Sequence, residues 1–323
     1  MLGKIGLIIF LISVLAISVF IHEFSHVVFG KIIGLKCIGF QMWHIMFKIE
    51  NKIKITFIHK TKQLGQCIFV PMSFNIKWQS LLFVFGAGIF QNLILTIIGL
   101  VGIIRFHGTQ YDKYYAVLFL VNFYLFISSS VPYCVGELAS DGYMIYHTFK
   151  IKNSKPFLQL MYITGNLYRG NVDGLENVLD ELVDVQNVYD ICLRIDNAYL
   201  LMKNRKYIEA KQIFLNLYGY ESLPAYHRNY IKYELLWLAI VLDDEKLQKE
   251  LLTSEKDLYV SGTCDDYAAL RVRYLLDDKE KISHNDYEIV YEKLLRQDIF
   301  EGRVYIERKL WIESKLKKSM VNI

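Results

Sequence analysis

The stretch FIHEFSHVVFG, residues 20–30, decides how this chain is to be understood. It closes a run of 17 residues, Ile5 to Ile21, that carries no charged side chain, and apolar residues resume at Val27 after the ionisable ones. His22, Glu23 and His26 therefore lie in a segment long enough to cross the bilayer, which takes about 20 residues. Ionisable side chains at membrane depth are costly and usually mark a functional site.

The composition indicates a protein that is part membrane and part globular. Of 323 residues, 53% are hydrophobic and 22% are charged, and the mean hydropathy is +0.24. This is too apolar for an ordinary soluble protein and too charged for a wholly embedded one. Residues 1–150 carry 12 Lys/Arg and 5 Asp/Glu, whereas residues 151–323 carry 25 and 28. The weakly acidic second half argues against nucleic acid as a partner, because nucleic acid requires clustered positive charge.

Three segments are predicted to cross the membrane, at about residues 5–33, 81–104 and 114–131. A cleaved signal peptide is the alternative for the first, but the apolar run is long and no small-residue cleavage site follows it. The connection at 31–80 holds eight lysines and one acid, whereas 105–113 holds two basic residues and one acid. Positive-inside bias therefore predicts a multi-pass cell-membrane protein whose N-terminus is outside and whose C-terminal half is cytosolic. A bacterial source is expected.

The connection between the first two spans contains FKIENKIKITFI, residues 47–58, in which apolar and polar residues alternate. This period of two predicts a small β-hairpin at the cytosolic membrane surface, with its turn near Glu50 and Asn51. Such a hairpin either faces lipid headgroups through its lysines or pairs with an extended substrate segment.

The five cysteines are scattered along the chain and form no C-x-x-C pair. They are Cys37, Cys67, Cys134, Cys192 and Cys264. This distribution predicts free, reduced thiols, with neither a disulfide framework nor a cysteine zinc site.

From about Ser154 onward the apolar periodicity becomes helical and polar faces appear. Turn-like stretches start at residues 169, 203, 242 and 276, which are 34, 39 and 34 residues apart. Residues 198–214 resemble a tetratricopeptide unit, on the side chains Ala198, Tyr199, Tyr207, Ala210 and Phe214. The spacing predicts that residues 151–323 form a cytosolic domain of stacked helical hairpins. An irregular helical domain is the alternative.

The spacing of the ionisable residues in the first span predicts a metal site. His22 and His26 are four residues apart, so a helix places both imidazoles on one side. Two neutral imidazoles fill two corners of a zinc tetrahedron. Glu23 lies about 100° around the helix from His22, where a carboxylate can take the proton of a water. The alternatives to this H-E-x-x-H motif are a hydrogen-bonded histidine pair and a proton pathway in a transporter.

A third ligand is predicted after the third span, in SSSVPYCVGELASDGYMI, residues 128–145. Its Asp141 returns to the membrane face where the histidines lie. A carboxylate there completes three protein ligands and leaves the fourth position to water, as in catalytic zinc sites. Glu137 and His147 are the alternative third ligands.

The second span contains a charge-free Gly88-x-x-x-Asn92 pair. A glycine lets another backbone approach, and the Asn92 amide can bind exposed peptide groups that lipid leaves unsatisfied. Helix packing alone is the alternative explanation for this pair.

Together these motifs resemble the site-2 protease family of intramembrane zinc metalloproteases. The resemblance covers roughly residues 5–150 and is carried by HEFSH, GIFQN and SDG, in that order. It implies a mainly α, polytopic protein with a three-helix transmembrane core and one Zn²⁺ per chain. The resemblance also implies the roles of the site residues. His22, His26 and Asp141 would be the metal ligands, Glu23 the general base, and Asn92 and Gly88 the residues that position the substrate.

The resulting prediction is an intramembrane zinc endopeptidase acting on a single-span membrane protein or a membrane-associated peptide precursor. Such a reaction serves regulated intramembrane proteolysis or peptide maturation. Residues 151–323 are then expected to dock the substrate or a cytosolic protein partner. The alternatives are a transport or immunity component that retains a zinc site, and a membrane-tethered scaffold. Glu23 weighs against the first of these, because a structural zinc site has no use for a base.

Overall fold

The computed structural model describes residues 4–49, 53–57, 64–135, 138–178, 188–221, 223–252, 267–276 and 284–321. They form two compact units, Met1–Gly165 and Asn166–Ile323. The chain is mainly helical with a small antiparallel sheet, as the sequence predicts.

Long apolar helices dominate the first unit. Its helices are α1 (Lys4–Ile32), α2 (Trp78–Arg105), α3 (Asp112–Ser130) and α4 (Asp141–Ile151), and α5 (Lys155–Tyr168) begins there. Helix α1 packs on α2 and α3, and α2 also packs on α4. Val14, Val19, Val121 and Leu125 form a buried cluster between α1 and α3.

Two of the described helices are long and apolar enough to cross a membrane, Ile5–Ile32 and Trp78–Arg105, and each has 28 residues. Their outward side chains are apolar and uncovered by protein: Ile5 is 76% exposed and Ile104 is 71% exposed. Lipid is the medium that such side chains suit. Helix α3 has 19 residues, but its three tyrosines, Asn122 and terminal serines lower its hydropathy, and a third span stays a prediction.

The sheet lies between α1 and α2 in the chain. Its strands are β1 (Leu35–Met42), β2 (Ile45–Ile49), β3 (Ile53–Phe57) and β4 (Gly65–Pro71), all antiparallel, in the order β3-β2-β1-β4. Pairing of Phe47 with Ile55 confirms the predicted hairpin, whose turn lies outside the described residues. Strands β1 and β4 pack on α1. A short pair, β5 (Cys134–Val135) and β6 (Leu138–Ala139), precedes α4.

The second unit is built from helices that pack on their neighbours in the chain. They are α6 (Val188–Lys203), α7 (Tyr207–Tyr218), α8 (Ala225–Val241), α9 (Glu245–Leu251), α10 (Tyr267–Leu276), α11 (His284–Gln297) and α12 (Glu301–Val321). Turns follow residues 203 and 241, at two of the predicted positions, and Ala198, Ala210 and Phe214 are fully buried. Helix α12 packs on both α6 and α10. Helical hairpins are therefore present, and their assignment as tetratricopeptides stays a prediction.

Candidate metal centre

Three side chains from two helices converge in the first unit. His22 and His26 project from the last third of α1, and Asp141 is the first residue of α4. Oδ2 of Asp141 lies 3.0 Å from Nε2 of His22 and 3.5 Å from Nε2 of His26. The two Nε2 atoms are 3.3 Å apart. Among the described residues, this is the group of histidine, cysteine and acidic side chains that can hold a metal ion.

The hydrogen bond at Nδ1 of His26 determines which ring nitrogen faces the other two side chains. Nδ1 lies 2.7 Å from the backbone oxygen of Val84 on α2. A carbonyl oxygen only accepts hydrogen bonds, so Nδ1 carries a proton and Nε2 is the nitrogen through which the neutral ring would bind a metal. Nε2 points at the Asp141 carboxylate oxygen and at the other imidazole. A metal ion at the centre of the three atoms would take the place of a shared proton.

His22 is held through its Nδ1 by Asn92 on α2. The Asn92 amide nitrogen lies 2.8 Å from Nδ1, and within the described part of the chain the buried Oδ1 of Asn92 has no hydrogen-bond partner. A half-turn of the amide exchanges its two ends. Oδ1 then accepts the Nδ1 proton, which leaves the Nε2 lone pair of His22 for a metal.

Gly88 gives the His22 ring its space. A β-carbon at position 88 would lie 2.4 Å from Cε1 and 2.5 Å from Nε2 of His22, well inside van der Waals contact. Any side chain at Gly88 would therefore displace the imidazole from Asp141. The Gly88 and Asn92 pair, one helical turn apart, thus surrounds His22.

Local hydrogen bonds place Asp141 at the start of α4. The Ser140 hydroxyl donates to the Val131 carbonyl at 2.6 Å and accepts from the Tyr143 amide at 3.1 Å, so Ser140 caps α4 and ties it to the end of α3. Burial opposes ionisation of Asp141, but His26 and His22 lower the pKa of its carboxyl below the ordinary value. The carboxylate is therefore the form available to a cation.

Glu23 is buried beside this cluster, with 8% of its surface exposed. Strand β4 covers it. A β-carbon at Gly65 would lie 2.4 Å from Oε1 of Glu23, so the bare backbone of β4 lies against the carboxylate. The Cys67 thiol lies 3.3 Å from the Glu23 carbonyl oxygen and 3.5 Å from Oε2. The carboxylate is thereby held in one position.

The donor set fits zinc. Zinc bonds of about 2.0–2.1 Å to histidine nitrogen and carboxylate oxygen make a tetrahedron with edges of about 3.3–3.4 Å. The three measured separations, 3.0, 3.3 and 3.5 Å, bracket that edge. Two imidazoles and one carboxylate are also a ligand set of catalytic zinc sites, in which a fourth position stays open.

The structure brings His22, His26 and Asp141 together, with Glu23 at their side. The alternative ligand His147 packs on the rings of Tyr143 and Tyr146 instead. The alternative Glu137 lies outside the described residues.

Sequence reasoning missed three groups: the Val84 carbonyl, Gly65 and Cys67. Val84 is one apolar residue among many in α2, and no pattern marks its carbonyl. Gly65 and Cys67 occupy a strand about 40 residues from Glu23 in the chain, so no local spacing connects them.

Comparison with known families shows which family the chain belongs to. Residues 10–293 match the model of peptidase family M50. The chain belongs to peptidase family M50. Members of M50 are membrane zinc metalloproteases of the site-2 protease family, so the resemblance carried by the three motifs is confirmed. No curated protein and no solved structure matches the chain.

Proposed function

We propose that this M50 peptidase is an intramembrane zinc endopeptidase that cuts a peptide bond in or near the transmembrane segment of its substrate. One observation carries the proposal. Three metal-binding atoms converge to within 3.5 Å of one another, beside the buried Glu23, in a unit whose long helices expose apolar side chains. A hydrolytic centre is useful in apolar surroundings when the substrate is itself a membrane segment.

His22, His26 and Asp141 would hold the zinc ion. When bound, zinc supplies Lewis-acid chemistry that makes water acidic enough to react at neutral pH and polarises the scissile carbonyl. Glu23 accepts the proton of the attacking water and returns it to the nitrogen of the departing amine. Gly65 and Cys67 hold the Glu23 carboxylate in place for both transfers. Asn92 orients the His22 ring.

The substrate is a single-span membrane protein or a membrane-associated peptide, and it binds in an extended form at the sheet. Strand β3 lies at one end of the sheet order, and its apolar side chains Ile53, Ile55 and Phe57 are 61–72% exposed. A substrate helix must unwind before cleavage, which leaves its amides without partners in lipid. Pairing with the open edge of β3 replaces the lost hydrogen bonds. Asn92, predicted from the sequence to position substrate, lies on the His22 side of the same centre.

The lysine asymmetry supports a multi-pass topology in which α1, α2 and α3 cross the membrane and the N-terminus is outside. The sheet, α4 and the second unit then lie in the cytosol. The hairpins of the second unit offer helical surfaces on which the substrate or a cytosolic protein docks.

Replacing Glu23 by Gln tests the proposal. The change is nearly isosteric and leaves the three metal ligands intact, so zinc content and helicity are expected to stay near wild type. Cleavage of a co-expressed single-span substrate is expected to fall by about 10²–10⁴-fold, the usual contribution of a general base.

Uncut substrate should therefore accumulate in cells that express Glu23→Gln and in cells without the expression vector. Cells that express the wild type should cleave it. A non-proteolytic transport or immunity component would tolerate the substitution. If Glu23→Gln restores every phenotype of a deletion strain, the peptidase proposal is wrong.

A further inference from the structure

A second cysteine lies next to the thiol that contacts Glu23. Cys67 belongs to β4 and Cys37 to β1, the neighbouring strand. The two sulfur groups interact with each other, and Cys67 also contacts both the carbonyl and the carboxylate of Glu23. These are thus a pair of thiols, one of which touches the proposed general base.

A bulge in the sheet brings the pair together. Cys37 pairs with Phe69, but the register shifts between Cys37 and Gly39, so Phe40 pairs with Cys67. Three steps along β1 therefore match two steps along β4, which puts the side chains of Cys37 and Cys67 on one face of the sheet. Both side chains are half-buried, whereas Cys134, in the first unit, is exposed.

The two thiols differ in acidity. The hydrogen bond with Cys67 lowers the pKa of the Cys37 thiol, although burial opposes this. The same bond and burial raise the pKa of the Cys67 thiol. In reactive cysteine pairs the more acidic thiol attacks and its neighbour resolves, and the directions of the two shifts favour Cys37 as the attacking member.

We propose that Cys37 and Cys67 form a redox-modification site, at which a peroxide joins them in a disulfide and so controls Glu23. The Cys37 thiolate attacks one peroxide oxygen; an S–O bond forms, the O–O bond breaks, and the leaving hydroxide takes up a proton to become water. The Cys67 sulfur then attacks the resulting sulfenic acid, so that an S–S bond forms and the S–O bond breaks with release of a second water. Two thiols lose two electrons and two protons, and the peroxide is reduced to two waters.

The disulfide changes the surroundings of Glu23, and this consequence rests on the proposed peptidase function. A disulfide sulfur has no proton to donate, so the Glu23 carbonyl and carboxylate lose the Cys67 thiol as a hydrogen-bond donor. The Cys67 sulfur is also drawn toward Cys37 along a strand whose backbone at Gly65 lies against the carboxylate. Cleavage is therefore expected to fall by about tenfold or more, which corresponds to about 1.4 kcal/mol.

The test uses the full-length protein in detergent micelles, exposed to a small excess of hydrogen peroxide. Free thiols are counted, and peptides are searched by mass spectrometry for a link between Cys37 and Cys67. Cleavage of a single-span substrate is measured before oxidation, after it, and after reduction by a phosphine. Cys37→Ser removes the pair without touching Glu23, and Cys134→Ser is the matched control that leaves the pair intact.

The expected result is a Cys37–Cys67 link with loss of two thiols, and a fall in cleavage that the phosphine reverses. Cys37→Ser should keep its cleavage in peroxide, whereas Cys134→Ser should remain as sensitive as the wild type. The proposal is overturned if Cys134 is oxidised under conditions that leave Cys37 and Cys67 unlinked, or if the link forms and cleavage is unchanged. If the Cys37–Cys67 disulfide forms but the reduced protein cuts no substrate, the result supports the redox-modification site. It then contradicts the proposed peptidase function instead.

Discussion

Each unit of the molecule buries a cluster of ionisable side chains, and the two clusters are built differently. In the first unit, His22, His26 and Asp141 direct three acceptor atoms at one point. In the second unit, Arg271 donates to both carboxylate oxygens of Glu234 at 2.8 and 3.0 Å, and all three of Arg271, Glu234 and Glu307 are fully buried.

The cluster of the second unit balances its own charge. The arginine neutralises Glu234 and stacks over the Trp237 ring at 4.8 Å. Burial raises the pKa of the Glu307 carboxyl well above its usual range. Its Oε2 accepts from the Tyr291 hydroxyl at 2.5 Å and lies 3.4 Å from Nε of Arg271. The cluster of the first unit contains two carboxyl groups, Asp141 and Glu23, and two imidazoles whose Nε2 atoms face Asp141.

The contrast shows when buried ionisable groups mark a site. Burial alone does not distinguish the clusters, because both are shielded from water. The partners of the carboxyl groups do: an arginine and a tyrosine in the second unit, and two imidazoles that can bind a metal in the first. The cluster around Arg271 therefore serves the fold of the second unit, and the cluster around Asp141 is the one that we propose holds a metal.

The largest expected effect tests the metal half of this contrast. In the double variant His22→Ala with His26→Ala, two of three ligands are lost, and bound zinc should fall from about one per chain to background. Elemental analysis of protein purified with a metal-free buffer gives the content, and circular dichroism checks that the helices remain. His147→Ala, which changes a histidine outside the cluster, should keep its zinc. Full zinc content in the double variant would show that the two histidines do not hold the metal, and the contrast between the two clusters would fail.

The next effect tests the internal ion pair. Glu234→Gln removes the carboxylate to which the buried Arg271 guanidinium donates, which should destabilise the second unit by about 3–5 kcal/mol. Hydrogen exchange of peptides from α8 and α10 reports the free energy of opening. Glu245→Gln is the control: its ion pair with Lys249 is more than 80% exposed, and such pairs contribute only about 0.3–0.5 kcal/mol. Equal exchange in the two variants would show that Arg271 does not depend on Glu234.

A smaller effect is expected from the support of His22. Asn92→Ala removes the acceptor for the His22 Nδ1 proton, and loss of such a partner lowers metal affinity by about 10–100-fold. Competition with a chromophoric chelator measures that affinity. Asn92→Asp keeps an acceptor for the His22 Nδ1 proton and should retain most of the zinc affinity. Asn122→Ala, at an equally buried asparagine that bonds to the Leu118 carbonyl, should leave affinity unchanged. Unaltered zinc affinity in Asn92→Ala with impaired cleavage would assign Asn92 to the substrate alone.

The smallest effect concerns Glu307, the member of the second cluster whose pKa burial raises. Glu307→Gln mimics the protonated carboxyl, so near pH 5 the stability of the second unit should change by less than about 1 kcal/mol. Because the folded-state pKa is raised, the contribution of Glu307 to stability is fully present below the ordinary carboxyl pKa and is lost as pH rises toward the raised value. The variant should lack this loss. Thermal unfolding followed by circular dichroism from pH 5 to 8 compares the two, and parallel curves would show that Glu307 is ionised.

Local periodicity explains what could be predicted from the sequence. The apolar run and the four-residue spacing of His22 and His26 predict a helix with both imidazoles on one side, and α1 has that form. The alternation from Phe47 to Phe57 predicts the hairpin, and β2 pairs with β3 as expected. The turns at 203 and 242 likewise separate helices. Each of these inferences uses residues within a few positions of one another, where helix and strand geometry alone determines which side chains are neighbours.

The contacts around the metal centre were decided by tertiary structure. Asp141 is 115 residues beyond His26, and Asn92 is 70 beyond His22. Whether these side chains meet depends on the rotation of α2 and on the capping of α4 by Ser140. The cover of Glu23 by Gly65 and Cys67 depends on the register of β4, where a shift of one residue would turn Cys67 to the other face. The pairing of Arg271 with Glu234 similarly depends on how α8 and α10 pack. Sequence alone therefore determined which chemical groups are present and which lie on one helix face, whereas packing between distant elements decided their partners, because no local period relates residues that far apart.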